Sequence, residues 1–568
     1  MVEYRNGKIY IDTLTLEAVV EKGFITSLKS KADGEEFITG VDINRDAALQ
    51  LIYSDDKSSD ISESKFGSIE YYQISDTCVD IRYENWNGNG IISVMEDLET
   101  GDLIIEPEAY SSRPGVRACR WNLKGIREDL ELVVPLYQGM KLKMDDPIIR
   151  NKRWEWPKSW EAGLAILQGK ESGFWVRTYD DRYRYKALKV GTNDEYNCLG
   201  FDTEAYGPID NNLAAGGLAW RINVYKGDWT VPASVYRDWL WEAYDLAKEE
   251  AERAPWFNDV KMAITFCPGG SEMLDALAEK VDPNRVIIHF SNWRKYKYDS
   301  NYPTYVASKE GREFIKKAQQ LGYHVMPHCN SMEVDPNHEV FNMLRDFQFR
   351  HIENKQLMGW FWDYINRRGG QYNPNANTQM YKHAEHLMMA KIHPGLKTWR
   401  HILGVNILRA VEDLSLDAIF IDITLNTMNL HNCLVENMTT TEAMKILIKH
   451  VANLGNKLTV GGEGLNEITM QGLSFAQAHL VGIRDADIDT MKRTGGCPLN
   501  AFLFGKLCKT FGYSGLSGRD EVSATAMEVD LSRGVLPTIS VPDNPAEAVE
   551  FVRNPNKAVR KVFDLANS

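Results

Sequence analysis

Two acidic residues stand at the ends of short apolar runs, where a side chain with chemistry to do would be placed. Ala418-Ile419-Phe420-Ile421 runs into Asp422, and Leu458-Thr459-Val460 opens through Gly461-Gly462 into Glu463. Between them, residues 441–454 carry apolar residues at helical spacing. A carboxylate closing a buried strand makes a poor core and places an acid at a rim. Two carboxylates on neighbouring strands suit cleavage of an acetal C–O bond: one attacks or stabilises the anomeric carbon, while the other protonates the departing oxygen and later deprotonates water. Adjacent strands lie ~4.8 Å apart, so acids at matching heights fall near the ~5.5 Å separation of a retaining mechanism rather than the wider gap of an inverting one. Glu467 competes with Glu463 for the acid/base role.

The residues after the other apolar runs are polar and aromatic. They include Ser291-Asn292-Trp293, Asp299, His328 and Asn330, with Tyr296, Tyr298, Tyr302 and Tyr305 as faces for a ring. All 12 histidines fall between His289 and His479, which concentrates polar chemistry in that window. Trp362 and Asp363 sit in a Trp-rich stretch of a long interval, 354–397. The expected catalytic pair is therefore Asp422 and Glu463, with Trp293, Asp299, His328, Asn330, Trp362, Asp363 and Glu467 as substrate contacts. No metal ligand set is expected. His383 and His386 lack the i, i+4 spacing of a zinc-protease helix, and Gly369-Gly370 has neither of the glycine patterns that cradle phosphate.

These residues need elements to hold them. Up to about residue 226 the chain reads as strand after strand with period-2 alternation, as in 8–11, 103–106 and 130–134, broken by turn signals such as Asp33-Gly34 and Asn87-Gly88. That predicts an antiparallel β-sandwich over 1–230. The aromatic stretch 153–160 reads either as a loop leaning over a neighbouring site or as a cluster sealing a domain seam. From 231 to 256 the spacing is helical and predicts a linker. Over 257–568 strands and helices alternate. Candidate strands are 260–266, 286–290, 323–326, 418–421, 458–460, 479–482, 502–504 and 536–541, and a last helix spans 545–565. Eight such strands predict a (β/α)8 barrel, whose active site lies at the carboxyl ends of the strands. The 354–397 interval is too long for a plain connection and is expected to wall the pocket.

Composition bounds the partners. The 568 residues carry 65 basic and 79 acidic side chains, for a formal charge of -14, which disfavours nucleic acid and anionic membranes. The N-terminus has no apolar leader and no stretch is apolar enough to span a bilayer, so a cytoplasmic protein is expected unless a leader has been removed. The 8 cysteines are scattered without CxxC pairs and read as reduced core thiols.

The two strand-end acids, together with the order of sandwich, linker Gly227-Asp228-Trp229…Tyr236-Arg237-Asp238-Trp239 and barrel, resemble the retaining α-N-acetylgalactosaminidase and endo-α-N-acetylgalactosaminidase families. The resemblance implies a galactose-mutarotase-like sandwich, with Asp422 as nucleophile on the fourth barrel strand and Glu463 as acid/base on the fifth. It also implies Asp299 as the acid that grips sugar hydroxyls, and an oligosaccharide or glycoconjugate substrate. No redox cofactor is expected, and a loop-bound structural calcium would be less surprising than zinc. Two other readings stay open: a carbohydrate-binding protein on the same scaffold without turnover, and a metal-assisted hydrolase or isomerase using the histidine-rich window.

Overall fold

The computed structural model describes residues 1–44, 46–54, 58–61, 67–192, 197–363, 368–371, 386–479, 487–494, 496–513 and 521–568, with backbone only at 192, 361–363, 368–371, 386–388 and 521–523. The chain divides into two compact units, Met1–Tyr244 and Asp245–Ser568.

The first unit is antiparallel throughout. A four-stranded meander (Val2–Arg5, Lys8–Asp12, Leu16–Glu21, Phe24–Ser30) precedes a ten-stranded and a six-stranded sheet. Alternation produces this layering: Leu16–Glu21 buries its first, third and fifth residues. The two large sheets meet through aromatic rings. Phe201 of the six-stranded sheet packs 5.0 Å from Trp220 of the ten-stranded one, and Trp160 stacks on Trp220 at 6.2 Å. Both sheets bury their facing sides, as a sandwich requires. Stretch 153–160 is not all loop: Arg153–Glu155 is an edge strand of the six-stranded sheet, and Trp156 and Trp160 are buried. The opposite face of the six-stranded sheet holds Asp202, fully buried between the guanidinium groups of Arg120 and Arg153.

The predicted linker helix is two helices. Thr230–Ala243 closes the first unit and Leu246–Ala251 opens the second, separated at Asp245, whose φ of 52° breaks the α conformation.

The second unit is a barrel of eight parallel strands: β1 Met262–Cys267, β2 Val286–Phe290, β3 His324–Asn330, β4 Ala418–Asp422, β5 Thr459–Glu463, β6 Phe475–Ala478, β7 Lys509–Gly512 and β8 Thr538–Ile539. Their order is β7-β6-β5-β4-β3-β2-β1-β8, and a parallel bridge from Phe511 to Leu536 joins the two ends. Short, nearly all-buried runs suit strands covered on both faces. Ala263, Ile287, Met326, Ala418, Phe420, Phe475 and Phe511 point inward and fill the barrel over a floor of Phe257 and Val260.

Two strands differ from the sequence expectation. The sixth is Phe475–Ala478 rather than 479–482, of which only His479 lies within the described residues. The seventh is Lys509–Gly512, and 502–504 belongs to the helix Leu499–Phe504. Both true strands are short and interrupted by polar inward residues, so their apolar signal is weak, whereas Leu499, Leu503 and Phe504 recur at helical spacing. The expected last helix is also two, Pro545–Arg553 and Lys557–Asn567, because Pro555 between them supplies no amide hydrogen. Within 354–397 the strands Gly359–Asp363, Arg368–Gln371 and His386–Lys391 form a small antiparallel sheet with Glu333–Val334. Among the described residues no helix is long and apolar enough to cross a membrane.

Candidate active site

Alternation along the barrel strands decides which side chains face inward. On β4, Phe420 points into the core, so Asp422 two residues later points into the mouth above it. On β5, Gly461 pairs with Phe420, and a Cβ added there would meet Met326 Sδ at 2.5 Å and Phe420 Cδ2 at 3.1 Å. Gly461 therefore faces the filled interior and is glycine for want of space, and Glu463 shares its face. Strand register pairs Ile421 with Gly462, so Asp422 and Glu463 occupy the next rung of adjacent strands.

Each acid is held from behind. Thr424 Oγ1, fully buried, accepts from the Glu463 amide and donates to the Glu463 carbonyl, both at 2.8 Å. His479 Nε2 contacts Glu463 Oε1. The carbonyl of Asp422 accepts from the Ser331 hydroxyl at 2.6 Å. Its carboxylate takes the amide hydrogen of Ile423, a β-branched residue at φ 57°, a conformation such residues rarely adopt. Phe266 (φ 44°), another bulky residue in this region, and Asp299 (φ 51°), a type that tolerates it, lie around the same mouth.

Beneath the acids lies a polar layer. Thr265, His289, His328 and Gln477, from β1, β2, β3 and β6, are each at most 1% exposed. Gln477 Nε2 donates to Thr265 Oγ1 at 2.9 Å and approaches His289 Nδ1 at 3.2 Å; His289 Nε2 lies 3.0 Å from His328 Nδ1. His328 Nε2 lies 3.8 Å from Asp422 Oδ2.

Four carboxyl groups bear on one another electrostatically. Burial, and then the charges of Glu463, Asp299 and Glu333, hold Asp422 well above the usual carboxylate range. Burial raises Asp299 to about 7, opposed by Arg294 and by hydrogen bonds from Tyr302 and Trp360. Burial likewise raises Glu333 to about 8, opposed by Lys391. Asp299 thus holds a proton below about pH 7 and Glu333 below about pH 8, and each then presents an O–H donor. Burial drops His289 to about 3, and burial with His289 and Arg294 as neighbours drops His328 well below an ordinary imidazole.

The other anticipated contacts fall into four groups. Asp299 and His328 lie with the acids, and Trp360 of the inserted sheet reaches Asp299. Trp293 and Asn330 are fully buried supports: the Trp293 indole donates to the His328 carbonyl at 2.8 Å, while Asn330 donates to Glu333 Oε2 at 2.9 Å and accepts the Met332 and Glu333 amides. Glu467 is buried in the turn after β5, where its carbonyl accepts from Gln471. The side chains of Trp362 and Asp363 lie outside the described residues. Sequence reasoning missed Glu333, Thr424 and His479 as parts of this mouth, whereas His289, like His328, reads from the sequence as a hydrogen-bonded barrel-rim residue. Glu333 follows strand-end Asn330 by three residues, so a wider search past each apolar run would have reached it. Among the described residues no group of three or more His, Cys, Asp or Glu side chains is arranged to hold a metal ion.

Residues 218–439 match a family described as a domain of unknown function, DUF6259. Over 114 residues the chain is 30% identical to a Bacteroides thetaiotaomicron protein named "Putative glycoside hydrolase"; the match spans 19% of this chain and 17% of that protein. Among solved structures, the chain superposes over its full length on 93% of alpha-N-acetylgalactosaminidase NagBb from Bifidobacterium bifidum in complex with GalNAc, with a TM-score of 0.67 and 14% identity. It also superposes on 82% of a GH31 family sulfoquinovosidase from E. rectale, with a TM-score of 0.56 and 10% identity. These likenesses establish the fold, a β-sandwich followed by a (β/α)8 barrel.

Proposed function

We propose that this protein is a retaining glycoside hydrolase acting on an α-linked, galactose- or N-acetylgalactosamine-like sugar. The observation that carries the reading is the rung shared by Asp422 and Glu463 on adjacent parallel strands at the carboxyl end of the barrel. Acids one strand apart match the short separation that retention needs. The preference for the sugar is drawn from the NagBb likeness and from the implied role of Asp299.

In this reading Asp422 attacks the anomeric carbon while Glu463 gives its proton to the leaving oxygen. Water, deprotonated by Glu463, then releases the sugar from Asp422. Asp299 and Glu333, protonated near neutrality, donate hydrogen bonds to sugar hydroxyls, and Trp360 of the inserted sheet holds Asp299 in place. The low-dielectric mouth strengthens each of these contacts. The chemistry calls for no redox cofactor, and a calcium bound by loop oxygens would serve structure alone.

The test is a screen of aryl α- and β-glycosides with the anomeric configuration of the first product followed by NMR. Release of the α-anomer from an α-glycoside is expected. Asp422→Asn and Glu463→Gln should each lose at least about a thousandfold in kcat, and azide should rescue Asp422→Gly or Glu463→Ala. Inversion, or full activity in both variants, refutes the mechanism. Sugar affinity without turnover would instead support a binding protein.

A further inference from the structure

The proton positions in the buried histidine pair follow from one backbone amide. The Phe266 N–H donates to His289 Nδ1 at 3.3 Å, and an amide nitrogen can only donate. His289 Nδ1 therefore holds a lone pair, which Gln477 Nε2 also approaches. A neutral imidazole has one N–H, so that of His289 sits on Nε2 and is given to His328 Nδ1, 3.0 Å away. His328 Nδ1 is then an acceptor, and its own hydrogen is on Nε2. That nitrogen is buried, has no hydrogen-bond partner among the described residues, and lies 3.8 Å from Asp422 Oδ2. A donor stranded about one ångström beyond bonding distance from a carboxylate closes with a small side-chain movement.

We propose that His289 is a positioning residue: anchored by the Phe266 amide, it locks His328 as the Nε2–H tautomer and aims that donor at Oδ2 of Asp422. The proposal rests on the nucleophilic role given to Asp422 above. The strained backbone of Phe266 fits this purpose. At φ 44° it sits where the β1–β2 register shifts between Ile264 and Cys267, and its amide there meets His289 instead of a strand neighbour.

The consequence is chemical. Asp422 must be ionised to attack, yet burial foremost, and any of Glu463, Asp299 and Glu333 that is ionised, favour its neutral form. Around it also stand Tyr298 and Tyr302 from beyond β2, and Tyr513, its ring tilted against that of His479, from beyond β7, while Arg294 bears on His328. None of these supplies what His328 does, a neutral N–H donor whose direction is set from below. The bond favours the carboxylate before attack and again as it departs from the glycosyl-enzyme.

The test uses two replacements of His289. Gln can accept from the Phe266 amide and donate to His328, whereas Phe can do neither but packs well beside Phe266, Phe420 and Phe511. His289→Phe should move the acidic limb of kcat/KM upward by about one pH unit and lower kcat roughly tenfold, with His289→Gln lying near wild type. A packing role predicts the reverse order and overturns the proposal, as does an acidic limb that stays in place in His289→Phe. Nitrogen-15 NMR of the histidine rings in the unaltered protein is the second arm and needs no variant. A protonated Nε2 and bare Nδ1 on His328 support the proposal, and the opposite tautomer or an imidazolium at pH 7 overturns it. If the unaltered protein cleaves no glycoside, the reading of Asp422 has failed, and the NMR still decides the tautomer.

Discussion

Replacing Asp299 by Asn should stabilise the protein, and only on the alkaline side. Asp299 is 5% exposed and its carboxyl has a folded pKa of about 7, against an ordinary value of 3.8. Between those values the folded state keeps a proton that the unfolded state has released. The unfolded state then binds fewer protons, so stability falls as pH rises through this window and levels off above about 7. Three pH units at 1.36 kcal/mol each give a cost on the order of 4 kcal/mol at pH 8. Asn has no proton to lose and tolerates the left-handed backbone at φ 51°. It also removes a charge that Asp422 and Glu333 both feel, which adds to the gain. Urea denaturation of both proteins from pH 4.5 to 8.5 measures the difference. The Asn variant should gain on wild type with rising pH, by up to about 4 kcal/mol, while losing glycosidase activity. A difference that is flat with pH, or that grows toward acid, would refute the argument.

Two further outcomes follow from packing and charge. Gly461→Ala places a methyl 2.5 Å from Met326 Sδ, so the Met326 side chain or β5 has to give and the barrel should lose roughly 1–3 kcal/mol; a thermal melt measures the loss, and a fall in kcat marks movement of Glu463 with β5. In the first unit, Asp202→Ala strands the buried guanidinium group of Arg120, while Arg153 keeps Glu155 and Glu204, and should cost about 3–5 kcal/mol by chemical denaturation.

Much of the architecture was legible in the residues. Period-2 alternation announced the antiparallel unit, and six of the eight barrel strands, β1 through β5 and β8, overlap apolar runs readable from the chain. β6 and β7 escaped because Phe475-Ala-Gln-Ala and Lys509-Thr-Phe-Gly carry polar residues where a buried strand normally shows apolar ones. Those polar residues belong to the barrel interior: Gln477 completes the layer under the acids, and Lys509 Nζ caps the carbonyls of Phe257, Asn258 and Val260.

The acids show the same division. Short-range signals sufficed to place Asp422 and Glu463 at strand ends, because a carboxylate after an apolar run is a local pattern. What they face was not local. Glu333 joins them from beyond β3, and His289, nearly 40 residues before His328 in the chain, sets which nitrogen of that ring carries the hydrogen. Local residue patterns thus determined the elements and the two acids. Only closure of the barrel decided which buried neighbours would raise, steady or aim those acids, because electrostatics and hydrogen bonds depend on distance in space.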